Sequence, residues 1–211
     1  MSRSVIACSS FSTLVLVPLT YRYVDHAVAL AVYGQLRAAL GAVPAVNDVL
    51  GLVVIAVAVA GVVARRLPAG PPALAELRAA IILAGVVAPL AYLTKTALKF
   101  LFGRVETRLW LADYAPDGFN WLSTAEGFNG FPSGHMTICL ALAGVGWRYY
   151  PRLGWLWLAC SLLLPVLLVG GAYHFVSDVI AGAYVAFLVY AASTTPRALA
   201  FWRIPPRRSA A

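Results

Sequence analysis

Two histidines and one aspartate are the residues of this chain whose types and spacing best suit chemistry. The stretch "GFNGFPSGHM" at 127–136 contains His135, and "GGAYHFVSD" at 170–178 contains His174 and Asp178. His174 and Asp178 are four residues apart, so they share one helix face. If Asp178 accepts one ring N–H, the other ring nitrogen keeps a lone pair that can attack an electrophile. His135 can then protonate a leaving oxygen as a general acid.

The residues around His135, with a third stretch upstream, indicate that the electrophile is a phosphate. Ser133 can cap the following helix, and Gly134 lets a bound group approach the backbone. The free N–H groups of a first helical turn favour an anion. "KTALKFLFGRVETR" at 95–108 adds four cations. We expect phosphate binding by Lys99, Arg104, Ser133 and Gly134, with Lys95 and Arg108 as supporting candidates.

The composition is that of a membrane protein. The 211 residues are 62% hydrophobic and 11% charged, whereas a soluble domain has about a quarter charged residues. The net charge of +8 is expected to mark cytoplasmic loops and an anionic substrate or lipid surface. Nucleic acid is not expected as a partner, because no basic-aromatic module is visible.

The cysteines and histidines predict neither a metal site nor a cofactor. Cys8, Cys139 and Cys160 each lie in an apolar segment and are interpreted as small core residues. There are only three histidines, and no Cys/His pair has the spacing of metal ligands.

The hydropathy pattern predicts an all-α polytopic bundle of about six transmembrane helices, forming one domain over 1–211. A span needs about 20 mostly apolar residues. The predicted spans are 4–21, 49–64, 79–98, 134–149, 153–172 and 175–193. Polar breaks within 24–40 predict an amphipathic helix on the membrane surface.

The first span has an alternative interpretation as a cleaved signal peptide with Arg3 as its basic region. A retained anchor is preferred, because no clear small-x-small cleavage site precedes Tyr21.

The distribution of Lys and Arg predicts a cytoplasmic N-terminus. With six spans, ten positive residues fall inside: Arg3, Arg65, Arg66, Arg78, Arg148, Arg152, Arg197, Arg203, Arg207 and Arg208. Six fall outside: Arg22, Arg37, Lys95, Lys99, Arg104 and Arg108. All three chemical stretches then reach the outer surface. We expect a plasma membrane location, the inner membrane of a bacterium, with the site on its outer face.

Each polar group also has a purely structural interpretation. The lysines could extend from a helix end to the interface, Ser133 could be a cap only, and His174 with Asp178 could stabilise a helix. Their convergence at one surface favours function, since ionisable residues in spans are functional by default. Structural roles are predicted for Asp25, His26, Asp48 and Glu126, as surface-helix, cap or loop residues.

These stretches resemble the type-2 phosphatidic acid phosphatase superfamily of integral membrane lipid phosphatases. That family carries K-x6-RP, then PSGH, then SR-x5-H-x3-D. "PSGH" is complete at 132–135, and "HFVSD" at 174–178 supplies H-x3-D. The resemblance covers about residues 90–190.

The sequence departs from the signature at both arginines. Counting from Lys99 places Glu106 and Thr107 at the RP position, with Arg104 two residues early. Counting back from His174 places Leu167 and Leu168 at the SR position. Three explanations remain open: Arg104, Arg108 or Lys95 substitutes, the substrate needs less clamping, or the protein is a weakened or inactive member.

The resemblance implies a metal-independent phosphatase acting through a phosphohistidine on His174, with Asp178 orienting it and His135 as general acid. Lys99, Arg104, Ser133 and Gly134 would bind phosphate. Candidate substrates are undecaprenyl diphosphate, phosphatidylglycerophosphate, phosphatidic acid and the phosphates of lipid A. The alternatives are a lipid phosphotransferase, or a non-enzymatic transporter or scaffold; a transporter would need charges through the midplane.

Overall fold

The computed structural model describes residues 3–36, 47–68 and 70–204, and these are helical and free of strands. The helices are α1 (Arg3–Tyr23), α2 (Asp25–Leu36), α3 (Asn47–Arg66), α4 (Pro72–Phe102), α5 (Thr107–Leu111), α6 (Gly134–Tyr149), α7 (Gly154–Gly170), α8 (Val176–Ser193) and α9 (Pro196–Phe201). The all-α helical bundle predicted from the sequence is confirmed.

Five helices in the described ranges are long and apolar enough to cross a membrane. These stretches are Ser4–Tyr23, Val49–Arg66, Leu74–Phe102, Pro151–Gly170 and Val176–Ser193. The remaining predicted span corresponds to α6, which has 16 residues. At 1.5 Å per residue it is about 24 Å long, shorter than the ~30 Å hydrocarbon core. It packs centrally, against α4, α7 and α8.

The segment predicted to lie on the membrane surface at 24–40 forms α2 in its first part. The residues from 37 to 46 lie outside the described residues. α2 contacts α1, α5, α7 and α8, and Asp25 at its start is buried, with 1% exposure. The placement of α2 at the membrane surface stays a prediction.

The core of the bundle lies between α3, α4, α6 and α8. Leu83 and Val87 of α4 and Ile138 of α6 are fully buried there. Gly61 of α3 and Gly85 of α4 face each other so closely that a Cβ on Gly61 would lie 2.8 Å from the Cα of Gly85. Small residues at a contact let helix backbones approach in this way.

The cysteines do not all lie in this core. Cys139 is half-buried, but Cys8 and Cys160 are exposed on the outside of the bundle. The core placement predicted for these two residues was wrong. A span that faces lipid can carry a small apolar thiol outward as readily as inward.

Successive long helices alternate in direction, so the bundle has two distinct ends. At one end, Arg78 of α4 donates from Nε to the carbonyl of Ala64 in α3, at 2.7 Å. At the other end, the C-terminal ends of α4 and α7 meet the N-terminal ends of α6 and α8. The backbone N–H of Ser133 there donates to the carbonyl of Asp178 at 3.0 Å. This second end carries the three stretches selected from the sequence.

Candidate active site

The turn after α4 directs Arg104 into the protein. Gly103 ends the helix with a left-handed φ of 53°, and its N–H donates to the carbonyl of Lys99. A Cβ at this position would lie 1.9 Å from the carbonyl oxygen of Asn120. Only glycine fits both the conformation and the contact. The chain therefore leaves α4 with Arg104 facing inward.

The "PSGH" stretch forms the start of α6, as predicted. Ser133 is fully buried and its Oγ accepts from the N–H of Met136 at 3.4 Å, a long capping bond. α8 lies directly alongside, because a Cβ on Gly182 would come within 2.6 Å of the Ser133 carbonyl oxygen. The first turn of α6 is thus held firmly against the helix that carries Asp178.

Lys95 lies over this first turn. A Cβ added to Gly134 would be 3.2 Å from Cδ and 3.7 Å from Nζ of Lys95. A side chain at position 134 would therefore press on the lysine. Nζ of Lys95 also makes a cation–π contact with Tyr92, at 4.3 Å from the ring centroid. The ammonium group and the N-terminal N–H groups of α6 together favour an anion at this point.

Lys99 stands one turn along α4 from Lys95. Its Nζ donates to Oδ1 of Asn129 at 3.3 Å. Both lysines line a pocket of about 530 Å³ that we call the lysine pocket; its wall includes Ser123, Thr124, Glu126 and Asn129. Neither lysine forms an ion pair within the described part of the chain.

His174, Asp178 and His135 lie beside these cations. Nδ1 of His174 is 3.5 Å from Oδ2 of Asp178, which is slightly longer than a hydrogen bond. Nδ1 is buried and has no hydrogen-bond partner among the described residues. His135 is half-buried and within electrostatic range of His174, Lys95 and Lys99. The structure thus brings the three predicted catalytic side chains to one location.

Arg104, which the sequence predicted to bind phosphate, lies in a buried cluster of carboxylates. It is fully buried, and its guanidinium donates to Asp25, Asp117, Ser177 and Asp178. We call Arg104 with Asp25, Asp117 and Asp178 the Arg104 cluster. All its ion pairs are short, at 2.7 Å to Asp178, 2.8 Å to Asp117 and 3.0 Å to Asp25. The guanidinium is therefore engaged by protein carboxylates.

Arg108 reaches the turn that precedes His174. Its Nη2 donates to the carbonyl of Gly171 at 3.0 Å, and its guanidinium lies 3.9 Å from the ring centroid of Tyr173. The position of the absent family arginine, Leu168, is buried in an apolar cluster with Met136 and Val179. The carbonyl of Leu168 accepts from the N–H groups of Tyr173 and His174. Arg108 of α5 therefore places a cation at the turn that leads into His174.

Two carboxylates at the site were not predicted to belong to it. Asp25 was interpreted as a structural residue, and Asp117 was not selected. Both have buried side chains, with 0% and 1% exposure. An acidic residue between two apolar helices needs a partner, and this signal could have identified Asp25. Asp117 lies in a polar loop, and the sequence contains no comparable signal for it.

One protein-family model matches more than half of the chain. The family model of the PAP2 superfamily matches residues 73–202, which contain all three stretches. The chain belongs to the PAP2 superfamily. The resemblance to type-2 phosphatidic acid phosphatases is thereby confirmed. No curated protein and no solved structure matches the chain.

Membership of the PAP2 superfamily supports a phosphatase-type activity on a phosphate ester. The apolar helices support an integral membrane protein. The matched region begins at α4 and leaves out α1, α2 and α3. Asp25, which belongs to the Arg104 cluster, therefore lies outside the match.

Proposed function

We propose that this PAP2 superfamily member hydrolyses a phosphate or diphosphate monoester of a lipid through a phosphohistidine intermediate on His174. The reaction takes place on the outer face of the plasma membrane and uses positioned charges without a metal ion. The observation that carries the proposal is the meeting of His174, His135 and Asp178 with Lys95 and Lys99 at the start of α6.

In the first step, Nε2 of His174 attacks the phosphorus atom. A bond forms between nitrogen and phosphorus, and the bond from phosphorus to the leaving oxygen breaks. His135 donates a proton to that oxygen, so the product leaves as an alcohol or, from a diphosphate, as a monophosphate. Asp178 holds the proton on Nδ1 and stabilises the positive charge that develops on the ring.

In the second step, water attacks the phosphohistidine. His135 accepts the proton of the water, a bond forms from oxygen to phosphorus, and the bond from nitrogen to phosphorus breaks. Inorganic phosphate leaves and His174 is restored. Throughout, Lys95, Lys99 and the N–H groups around Gly134 stabilise the phosphate oxygens, where most transition-state charge resides.

An apolar cavity next to the site supports a lipid substrate. It has a volume of about 480 Å³ and lies between α1, α4 and α8. Its wall includes Val17, Phe102, Pro132, Ser177 and Leu188. Pro132 and Ser177 directly precede in sequence Ser133 and Asp178 of the site. A hydrocarbon chain attached to a phosphate in the site has apolar space beside it.

The test is phosphate release by the purified full-length protein in detergent, without added metal. The substrates are undecaprenyl diphosphate, phosphatidylglycerophosphate, phosphatidic acid and lipid A. We expect release from at least one of them, loss of release in His174→Ala, and a phosphorylated His174 in rapidly quenched wild type. Arg22→Gln is the control, because Arg22 is an exposed residue near the same end of the bundle.

Either of two results would contradict the proposal. Equal release by wild type and His174→Ala would exclude His174 as the nucleophile. A phosphorylated His174 that transfers its phosphate only to an added lipid alcohol, and not to water, would identify a phosphotransferase instead.

A second variant tests the lipid chain. Val17→Trp fills part of the apolar cavity from α1, away from the charged residues. We expect weaker activity on a long-chain lipid phosphate and unchanged activity on a short, water-soluble phosphate monoester. Equal losses on both substrates would argue against a chain in this cavity.

A further inference from the structure

We propose that Arg104 is a positioning residue, which holds Asp178 in the orientation that His174 requires, and that Asp25 and Asp117 in turn hold Arg104. This inference rests on the proposed function, in which His174 is the nucleophile. It assigns a catalytic consequence to two carboxylates outside the three signature stretches, one of them outside the matched region.

The two oxygens of Asp178 have separate partners. Oδ1 accepts from Nη1 of Arg104 at 2.7 Å. Oδ2 accepts from the N–H of Phe175 at 3.0 Å and faces Nδ1 of His174 at 3.5 Å. Two anchors fix the plane of the carboxylate, so its rotation cannot carry Oδ2 away from the imidazole. Loss of the Arg104 anchor would free that rotation.

Arg104 is itself fixed on both sides. Its Nε and Nη2 donate to the two oxygens of Asp117 at 2.9 and 2.8 Å, a bidentate pair. Nη2 also donates to Asp25 at 3.0 Å. The guanidinium lies 4.1 Å from the ring centroid of Phe175 and 4.8 Å from that of Tyr21. A planar group held at its edge and near two rings has one orientation.

The donors of Arg104 are fully used. A guanidinium has five N–H donors, and five donor–acceptor pairs to protein oxygens are formed, the fifth from Nη1 to Oγ of Ser177 at 2.7 Å. A phosphate oxygen could bind Arg104 only by displacing one of these acceptors. Three carboxylates around one guanidinium would also repel a phosphate dianion.

Asp25 links this arrangement to the N-terminal helices. Its Oδ1 accepts from the N–H of Ser177 at 2.9 Å, and its Oδ2 accepts from the hydroxyl of Ser177. Ser177 directly precedes Asp178. The start of α2 is therefore bonded to the first turn of α8 as well as to Arg104, and both contacts lead to Asp178.

A positioning role predicts a specific kinetic effect. If Asp178 is misoriented, phosphate still binds to the lysines and the α6 N-terminus, but attack by His174 is slower. The turnover number falls while KM is unchanged. A phosphate-binding role for Arg104 predicts the opposite, a raised KM.

The experiment compares Arg104→Gln, Arg104→Lys and Asp117→Asn with wild type as full-length proteins in detergent, using the best lipid phosphate from the panel. We expect kcat to fall about ten- to a hundredfold in Arg104→Gln, with partial recovery in Arg104→Lys and KM near that of wild type. Arg22→Gln removes an exposed arginine and should match wild type. A raised KM with unchanged kcat would overturn the proposal.

Asp117→Asn keeps the test decisive if Arg104→Gln does not fold. It removes one charge from the cluster and leaves the guanidinium in place. We expect a smaller fall in kcat, again without a change in KM. A wild-type kcat in a folded Asp117→Asn protein would overturn the role assigned to Asp117.

A readout without substrate separates this inference from the proposed function. The chain has three histidines, so ¹⁵N NMR signals of labelled imidazoles can be assigned by replacing His26 and His135. We expect neutral His174 to carry its proton on Nδ1 in wild type and to show mixed tautomers in Arg104→Gln and Asp117→Asn. If no lipid phosphate is hydrolysed, the proposed function fails, yet the tautomers still decide this inference. An unchanged Nδ1–H tautomer in both variants would overturn it.

Discussion

The Arg104 cluster and the lysine pocket hold the positive charge of the site in opposite ways. In the cluster, one guanidinium is buried among three carboxylates and donates all its N–H groups to the protein. In the pocket, Nζ of Lys95 lies over the ring of Tyr92, and Nζ of Lys99 donates to the side-chain amide oxygen of Asn129. Both regions take their cations from the basic stretch at 95–108, but Arg104 forms ion pairs with carboxylates, whereas Lys95 and Lys99 form none among the described residues.

This difference shows what makes a cation a binding group. A positive side chain binds phosphate only if its own protein does not already satisfy it. Arg104 and Lys99 are five residues apart, and the turn at Gly103 separates them. Lys99 lies on α4 and lines the lysine pocket, whereas Arg104 lies after the turn and is buried in the interior.

The largest effect is expected when the shared cation of the Arg104 cluster is removed. Arg104→Met leaves three buried carboxylates without their shared cation. We expect a loss of about 3–5 kcal/mol in the free energy of unfolding, the usual cost of leaving a buried charge unpaired. Thermal unfolding in detergent measures it. Lys99→Met is the contrast and should unfold close to wild type; equal destabilisation by both would contradict the distinction.

The next test removes Lys99, which forms no ion pair among the described residues. Lys99→Ala should lower phosphatase activity about ten- to a hundredfold, because a hydrogen bond to a charged group contributes about 1.5–3 kcal/mol. Unfolding should be nearly unchanged. The measurement is initial phosphate release against substrate concentration, with Arg22→Gln as control. Activity equal to wild type would mean that the lysine pocket does not contact the phosphate.

Asp25 and Asp117, two of the three buried carboxylates of the Arg104 cluster, should differ in what they contribute to stability at neutral pH. Burial raises the pKa of Asp117, but the hydrogen bond and charge of Arg104, with His26, lower it by more, so that its pKa lies below the ordinary value. Burial raises the pKa of Asp25 by more than Ser177 and Arg104 lower it. The fold therefore favours the ionised form of Asp117 and disfavours that of Asp25.

Asp117→Asn should thus cost more stability than Asp25→Asn at pH 7, by about 1–2 kcal/mol on the scale of a charged hydrogen bond. A carboxylate with a lowered pKa stabilises the fold above its unfolded pKa and loses that contribution as pH falls through the folded pKa. The deficit of Asp117→Asn should therefore be constant from pH 7 to near the ordinary value of 3.8 and narrow below it. Unfolding curves at several pH values measure this, and a larger deficit for Asp25→Asn would contradict the assignment.

The smallest effect is expected at the edge of the cluster. Nε2 of His26 donates to Oδ2 of Asp117 at 2.9 Å, but the His26 side chain is 50% exposed. It also stacks on Trp110 with ring centroids 4.4 Å apart. Exposed ion pairs contribute about 0–1 kcal/mol, so His26→Asn should lower stability by less than about 1 kcal/mol. A loss as large as that of Arg104→Met would show that the cluster extends to His26.

Local patterns were sufficient for the all-α bundle and for selecting the two histidines that the structure brings together. The start of α6 at "PSGH" follows from a capping serine before an apolar run. The four-residue spacing selected His174 and Asp178, but His174 lies two residues before the start of α8 at Val176, so the two side chains approach across the N-cap Phe175 and not along one helix face. The predicted span at 134–149 coincides with α6. α6 has 16 residues, one fewer than α7 and two fewer than α8.

Local sequence patterns could not predict which charged residues pair with each other. Arg104 was expected to bind phosphate because it stands beside Lys99 in a basic stretch, and Asp25 was expected to lie on a surface helix. Asp25 and Arg104 are 79 residues apart, and Arg104 and Asp178 are 74 apart. Contacts over such separations are formed by the packing of α2, α4 and α8, which no periodicity specifies.

The sequence by itself determined the membrane character, the helical class and the three stretches that carry the chemistry, because hydropathy, caps and helical spacing are properties of neighbouring residues. Only the tertiary structure decided which cations are paired with carboxylates of the protein. That depends on which acceptors surround each N–H group, and these acceptors come from distant parts of the chain. Arg104 and Lys99 are close in sequence and similar in charge, but the elements packed around them surround Arg104 with carboxylates and give Lys99 an amide oxygen as its hydrogen-bond acceptor.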